Sequence, residues 1–148
     1  MAGINAVAQS PEISSGTAKK TLLQITAPTN QRLKIREISV AFKGTSNTAA
    51  PVLVEVARQS TAGTMTSLTP QKWNPADDET LQGTAQHTAT AEPTETAVIM
   101  REEVHPQGAY TWQAPFGGEI IVPGGGRLGI AVTAAADVSS LARLVYEE

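Results

Sequence analysis

From Thr21 onward the large apolar side chains fall in short runs that alternate with polar ones at a spacing of two, and the runs are separated by Gly, Pro, Asn and Ser. That period belongs to a β-strand, whose successive side chains point to opposite faces. No comparably long segment carries apolar residues at helical spacing. The chain is therefore expected to be all-β, an antiparallel, jelly-roll-like β-sandwich of about eight strands.

The expected strands are 21–27 (TLLQITA), 32–43 (RLKIREISVAFK), 51–58 (PVLVEVAR), 96–104 (TAVIMREEV), 108–113 (GAYTWQ), 118–122 (GEIIV), 127–134 (RLGIAVTA) and 140–147 (SLARLVYE). In the second of these, Leu33 and Ile35 lie on one phase and Ile38, Val40 and Phe42 on the other. A β-bulge at Arg36-Glu37 would return both halves to the same core.

Two stretches stand outside this pattern. Residues 1–20, MAGINAVAQSPEISSGTAKK, are mostly small or polar and read as an extended N-terminal arm, dispensable for folding and free to order along a neighbour. The sandwich domain then spans 21–148, with a long loop at 59–94 whose only large apolar residues are Met65, Leu68, Trp73 and Leu81. A loop of that length is uncommon and is usually functional or held by a partner; the competing reading is plain flexibility with one short strand near 64–68. Trp73 discriminates between them, because so large a side chain is expected either to pin the loop or to meet another chain.

Composition bounds the core. Of 60 hydrophobic residues, 22 are Ala, leaving 38 large apolar side chains. That number closes one modest sandwich and not two domains. There is no Cys, hence no disulfide, thiolate nucleophile or Cys-based metal site. No apolar run approaches the roughly 20 residues of a membrane-spanning helix, and the first residues lack the charged and apolar regions of an export signal. The formal charge of −3 comes with scattered basic residues, Lys19-Lys20 being the exception, so neither nucleic acid nor membrane is an expected partner.

No motif indicates catalysis or a cofactor. PGGGRLG at 123–129 lacks the GK[ST] ending of a phosphate-binding loop and precedes a strand, so it reads as a hairpin turn. Asp77-Asp78-Glu79 lacks the alternating spacing and glycine of a calcium loop. His87 and His105 have no metal-ligand spacing, and two His cannot fill a cupin site. No G-x-S-x-G elbow occurs. Tyr110 and Trp112 share a face of one strand; a sandwich with six aromatics needs some inside, so core is the expected place for them, and a sugar-stacking platform the alternative.

The order of features in the second half of the chain is similar to that of a known group of proteins. RQSTAGTMTSLTP follows the PVLVEVAR strand, a Thr/Ala-rich loop leads to TAVIMREEV, and IIVPGGGRLGIAVTAAADVSSLARLVYEE closes the chain. This arrangement resembles small tailed-bacteriophage virion proteins, especially capsid decoration (cement) proteins and related head-fibre or tail modules. The resemblance implies a non-enzymatic protein, made in the host cytoplasm and placed on the capsid exterior. It would bind the major capsid protein across adjacent capsomers as a homo-oligomer, a trimer by preference. Met65, Trp73, Lys19 and Lys20 are then the interface candidates, with the arm and the 59–94 loop as contact segments. The alternative is a carbohydrate- or receptor-binding module of a tail or fibre, using Tyr110, Trp112 or Trp73.

Overall fold

A computed structural model describes residues 3–45 and 50–148. Thirteen strands occur among them and no helix: β1 (Asn5–Gln9), β2 (Ile13–Ser14), β3 (Lys20–Thr26), β4 (Leu33–Lys43), β5 (Val52–Gln59), β6 (Thr64–Leu68), β7 (Gln71–Lys72), β8 (Thr84–Ala91), β9 (Glu95–Val104), β10 (Ala109–Gln113), β11 (Ile120–Val122), β12 (Arg127–Thr133) and β13 (Ser139–Glu147). They form two antiparallel sheets. The first runs β10-β4-β13-β1-β7, with β11 also on β4 and β2 on β13; the second runs β6-β8-β3-β12-β5-β9. The chain is thus an antiparallel β-sandwich whose inner faces share one apolar core. At its centre lie Leu23, Ile25, Ile35, Ile38, Leu128, Ile130 and Leu144, all fully buried.

All eight expected strands are present, with ends shifted by one or two residues. The bulge in β4 is also present. Val145 pairs with Glu37 while Tyr146 pairs with Ile35, which leaves Arg36 as the extra residue. Leu33, Ile35, Ile38, Val40 and Phe42 are consequently all buried on one side of the strand.

The N-terminal arm is corrected. Residues 5–9 form β1, inserted between β13 and β7, and 13–14 form β2 on the other half of β13. The physical reason is size complementarity across the ladder. Ala6 stands opposite Tyr146 and Ala8 opposite Leu144, and all four side chains are fully buried. A small residue facing a large one fills the layer without overpacking. Past β1, Ser10 keeps its N–H on the Ala142 carbonyl at 2.9 Å while its hydroxyl accepts the Ala142 N–H at 2.9 Å, and Ser15 does the same with Val138, each bond 3.0 Å.

The 59–94 loop is corrected as well. It holds β6, which coincides with the short strand considered at 64–68, and also β7 and β8. In β8 the buried residues are Ala85 and Ala89, again too small to register as a strand by apolar patterning. Threonine, β-branched and at home in strands, supplies much of the rest.

The second sheet buries polar groups on its outer side. Ser60 N–H donates to the Thr94 carbonyl at 2.8 Å and Thr94 N–H to the Thr61 hydroxyl at 2.9 Å, so the turns after β5 and before β9 run together. Beneath them Gln24 donates to the Gln59 amide oxygen at 2.6 Å and to the Thr61 carbonyl at 3.0 Å. The Thr21 hydroxyl donates to Glu92 at 2.6 Å. Gly129 leaves the space the Gln59 amide occupies: a Cβ there would lie 2.3 Å from it.

One buried hydroxyl lacks a partner. Tyr146 is fully buried and its Oη makes no hydrogen bond among the described residues. Burial, reinforced by the nearby Glu148 carboxylate, pushes its pKa well above the usual phenol range. An unpaired buried hydroxyl costs stability, so Tyr146→Phe is expected to be neutral or to stabilise the protein by up to about 1 kcal/mol. Urea unfolding of the two proteins side by side checks this, and a clear loss of stability in the variant would show that the hydroxyl is satisfied after all.

Candidate functional site

The outer face of the first sheet carries an exposed tryptophan with a groove beside it. β1, β4, β10 and β13 alternate, so Asn5 and Val7, Glu37 and Ser39, Thr111 and Gln113, and Arg143 and Val145 point away from the core. The short β7 extends the sheet, and Trp73 continues its ladder by donating its backbone N–H to the Asn5 carbonyl at 2.9 Å. A shallow groove of about 330 Å³ crosses this face, lined by Asn5, Arg36, Glu37, Trp73, Gln113, Ala114 and Val145. Val145 is buried although it lies on the outer phase, and makes an apolar floor.

The groove's charges are paired before any ligand arrives. Arg143 donates to one oxygen of Glu37, and Gln113 Nε2 donates to the other at 3.2 Å. Arg36, pushed outward by the bulge it forms, donates to Glu147. Two guanidinium groups and two carboxylates therefore cancel along this surface.

Trp73 remains 64% exposed, so it neither pins a loop to the core nor packs against another part of the chain in bulk. Met65 is half-buried on β6, the edge strand of the other sheet. Lys19 and Lys20 are engaged within the chain. Lys19 Nζ lies 3.1 Å from Glu55 and 2.6 Å from Glu95, while Lys20 Nζ donates to the Ser14 carbonyl at 3.2 Å. The four interface candidates are thus spread over separate parts of the two sheets. Tyr110 and Trp112 are half-buried and lean on the core from β10, closer to the core reading than to a free platform.

The residue that sequence reasoning missed is Phe116. It is fully exposed at the tip of the turn between β10 and β11, where Gly118 N–H donates to the Pro115 carbonyl at 2.8 Å and Gly117 takes φ 78°. Positive φ at the third position makes this a type II turn, which needs glycine there. The Pro-Phe-Gly-Gly string carries that signal, with an aromatic at the turn's most prominent position.

On the other sheet, Glu55 is buried between Lys19 and Arg101, whose Nε donates to it at 2.9 Å. Burial alone would raise the Glu55 pKa; hydrogen bonds from Lys19 and Arg101 outweigh it and hold the carboxyl below its ordinary value. Lys19 is the mirror case, burial lowering its pKa and the bonds to Glu95 and Glu55 raising it overall. A carboxyl with a depressed folded pKa stabilises the fold above its unfolded pKa of about 4.3, and that contribution is lost as pH falls through the folded pKa. Lys19 contributes below about pH 10.4 and loses its contribution as pH rises through its own folded value. The stability gap between wild type and Glu55→Gln should therefore be widest near neutrality and close on acidification, measured by urea titration at a series of pH values. A gap independent of pH would mean that the charge of Glu55 is not what matters.

No group of three or more His, Asp or Glu converges to hold a metal ion among the described residues. His87 Nδ1 lies 2.8 Å from the Thr88 hydroxyl, and His105 Nδ1 accepts the Gln107 N–H at 3.1 Å in the turn after β9. Compared with known protein families, curated proteins and solved structures, the chain matches none of them.

Proposed function

We propose that the chain is a non-enzymatic structural protein of a bacteriophage virion that decorates and stabilises the capsid, binding the major capsid protein of adjacent capsomers as an oligomer, preferably a trimer. The observation that supports it best is Phe116, an exposed aromatic on a turn fixed by Pro115, Gly117 and Gly118. An aromatic presented on a rigid turn has little conformational entropy left to lose on docking, and aromatic anchors carry a large share of interface energy. Repetition of one modest contact over many equivalent capsid positions makes such decoration stable.

Since Phe116 packs against nothing in its own chain, Phe116→Ala should leave the melting temperature unchanged while weakening co-sedimentation with purified capsids by about thirtyfold or more, the lower range for a hot-spot aromatic. Negative-stain images of the same mixtures separate shell from tail attachment. A wild-type protein that ignores both, or a variant that binds as well as wild type, would remove the basis of the proposal.

A further inference from the structure

We infer that the groove beside Trp73 is a saccharide site, taking a neutral pyranose ring with its C–H face against the indole. Saccharide binding at Trp73 and capsid docking through Phe116 are independent of one another.

Four features of the groove converge on this ligand class. An indole that is 64% exposed offers a flat apolar platform, and Val145 adds an apolar floor. Around them stand the groups that read hydroxyls: the amides of Asn5 and Gln113 and the carboxylate of Glu37. Glu37 is held in place from both sides, by Arg143 and by Gln113, so its remaining lone pairs are pre-oriented for a hydroxyl donor. The volume, about 330 Å³, lies at the small end of the roughly 300–1,000 Å³ of small-molecule sites.

Electrostatics narrows the class further. Both guanidinium groups at the groove are already matched, Arg36 by Glu147 and Arg143 by Glu37. A phosphate or carboxylate ligand would have to compete with a carboxylate for its arginine, and a cation would have to compete with an arginine for its carboxylate. A neutral polyhydroxylated ring does neither. It can donate to Glu37 and accept from the amides while the pairs stay intact. An apolar peptide would satisfy Trp73 and Val145 but would take water from the Asn5 amide and from the lone pairs of Glu37 not used by Arg143 and Gln113, offering nothing in its place, which is costly.

The test is the full chain on an array of neutral and anionic mono- to tetrasaccharides, with hits titrated in solution. Wild type is expected to bind a subset of neutral pyranosides. Trp73→Ala should weaken binding by about tenfold or more, the scale of one lost stacking contact, while Trp73→Phe retains most of it. The side chain is largely exposed, so both variants should melt with wild type, and that measurement separates lost stacking from lost fold. Gln113→Ala, which frees one oxygen of Glu37, should alter the ranking among sugars rather than abolish binding. Failure of the folded wild type to bind any saccharide at millimolar concentration overturns the inference, as does binding that survives Trp73→Ala or a preference confined to anionic sugars.

Discussion

Deleting residues 3–18 is expected to abolish the cooperative unfolding transition. This segment supplies β1 and β2, which together line nearly the whole free side of β13. Removing it uncovers Leu144 and Tyr146, eliminates the buried side chains of Ile4, Ala6, Ala8 and Ile13, and leaves one side of the β13 backbone without partners. Two buried isoleucines alone are worth roughly 1.5–3 kcal/mol each, and each lost ladder bond adds about 0.5–1.5 kcal/mol. The sum exceeds the lower end of the roughly 5–15 kcal/mol that stabilises a domain. Far-UV circular dichroism during thermal and urea unfolding reads the result directly. A truncated protein with a sigmoidal transition near the wild-type midpoint would restore the dispensable arm. If capsid attachment is lost in this variant, the loss says nothing about an arm contact, because the fold goes first.

Leu144→Ala should cost about 2–5 kcal/mol, the range for truncating a buried leucine whose surroundings relax only in part. Leu144 is fully buried, with Ala8 on one neighbouring strand and Ile38 on the other. Collapse into the cavity is resisted on both sides by strands tied into the ladder. For a chain of this length about 1 kcal/mol corresponds to roughly 3 °C, so the melting temperature is expected to drop by roughly 6–15 °C. Calorimetry checks the size of the loss, and a shift below about 3 °C would place Leu144 outside the principal core. The exposed Leu141, three residues earlier on the same strand, is the internal control: its truncation should shift the melting temperature little.

The strands visible in the sequence are those whose inward positions carry Leu, Ile and Val. β4 is legible down to its bulge, because the slip in the apolar phase at Arg36 can be repaired only by one extra residue. Of the missed strands, β1 and β8, the two longest, bury alanines. Ala6 and Ala8 look like filler until Tyr146 and Leu144 are seen across the ladder, and no local pattern announces a partner about 140 residues away in sequence. Gln24 and Gln59 escaped notice for the same reason: a glutamine within a strand reads as solvent-facing until a turn closes over it.

The groove at Trp73 was legible as one residue and not as a place. Trp73 stands out in the sequence because little around it is large and apolar. Asn5, Glu37, Gln113 and Val145 come from four other strands and meet it only through the order β10-β4-β13-β1-β7. Lys19 shows the reverse. As half of the sole basic pair it looked available to a partner, yet Glu55 and Glu95 take it up on the outer side of the other sheet.

By itself, then, the sequence determined that the chain is all-β, where the large-residue strands run, and that β4 must bulge, because side-chain alternation and turn chemistry are local properties of consecutive residues. Only the tertiary structure decided that the N-terminal residues belong to the sandwich, that 59–94 is threaded through both sheets, and which polar and aromatic groups share a groove. Those outcomes depend on which distant strand supplies the complementary surface, and an alanine, a glutamine or a lysine has no fixed place until that surface is known.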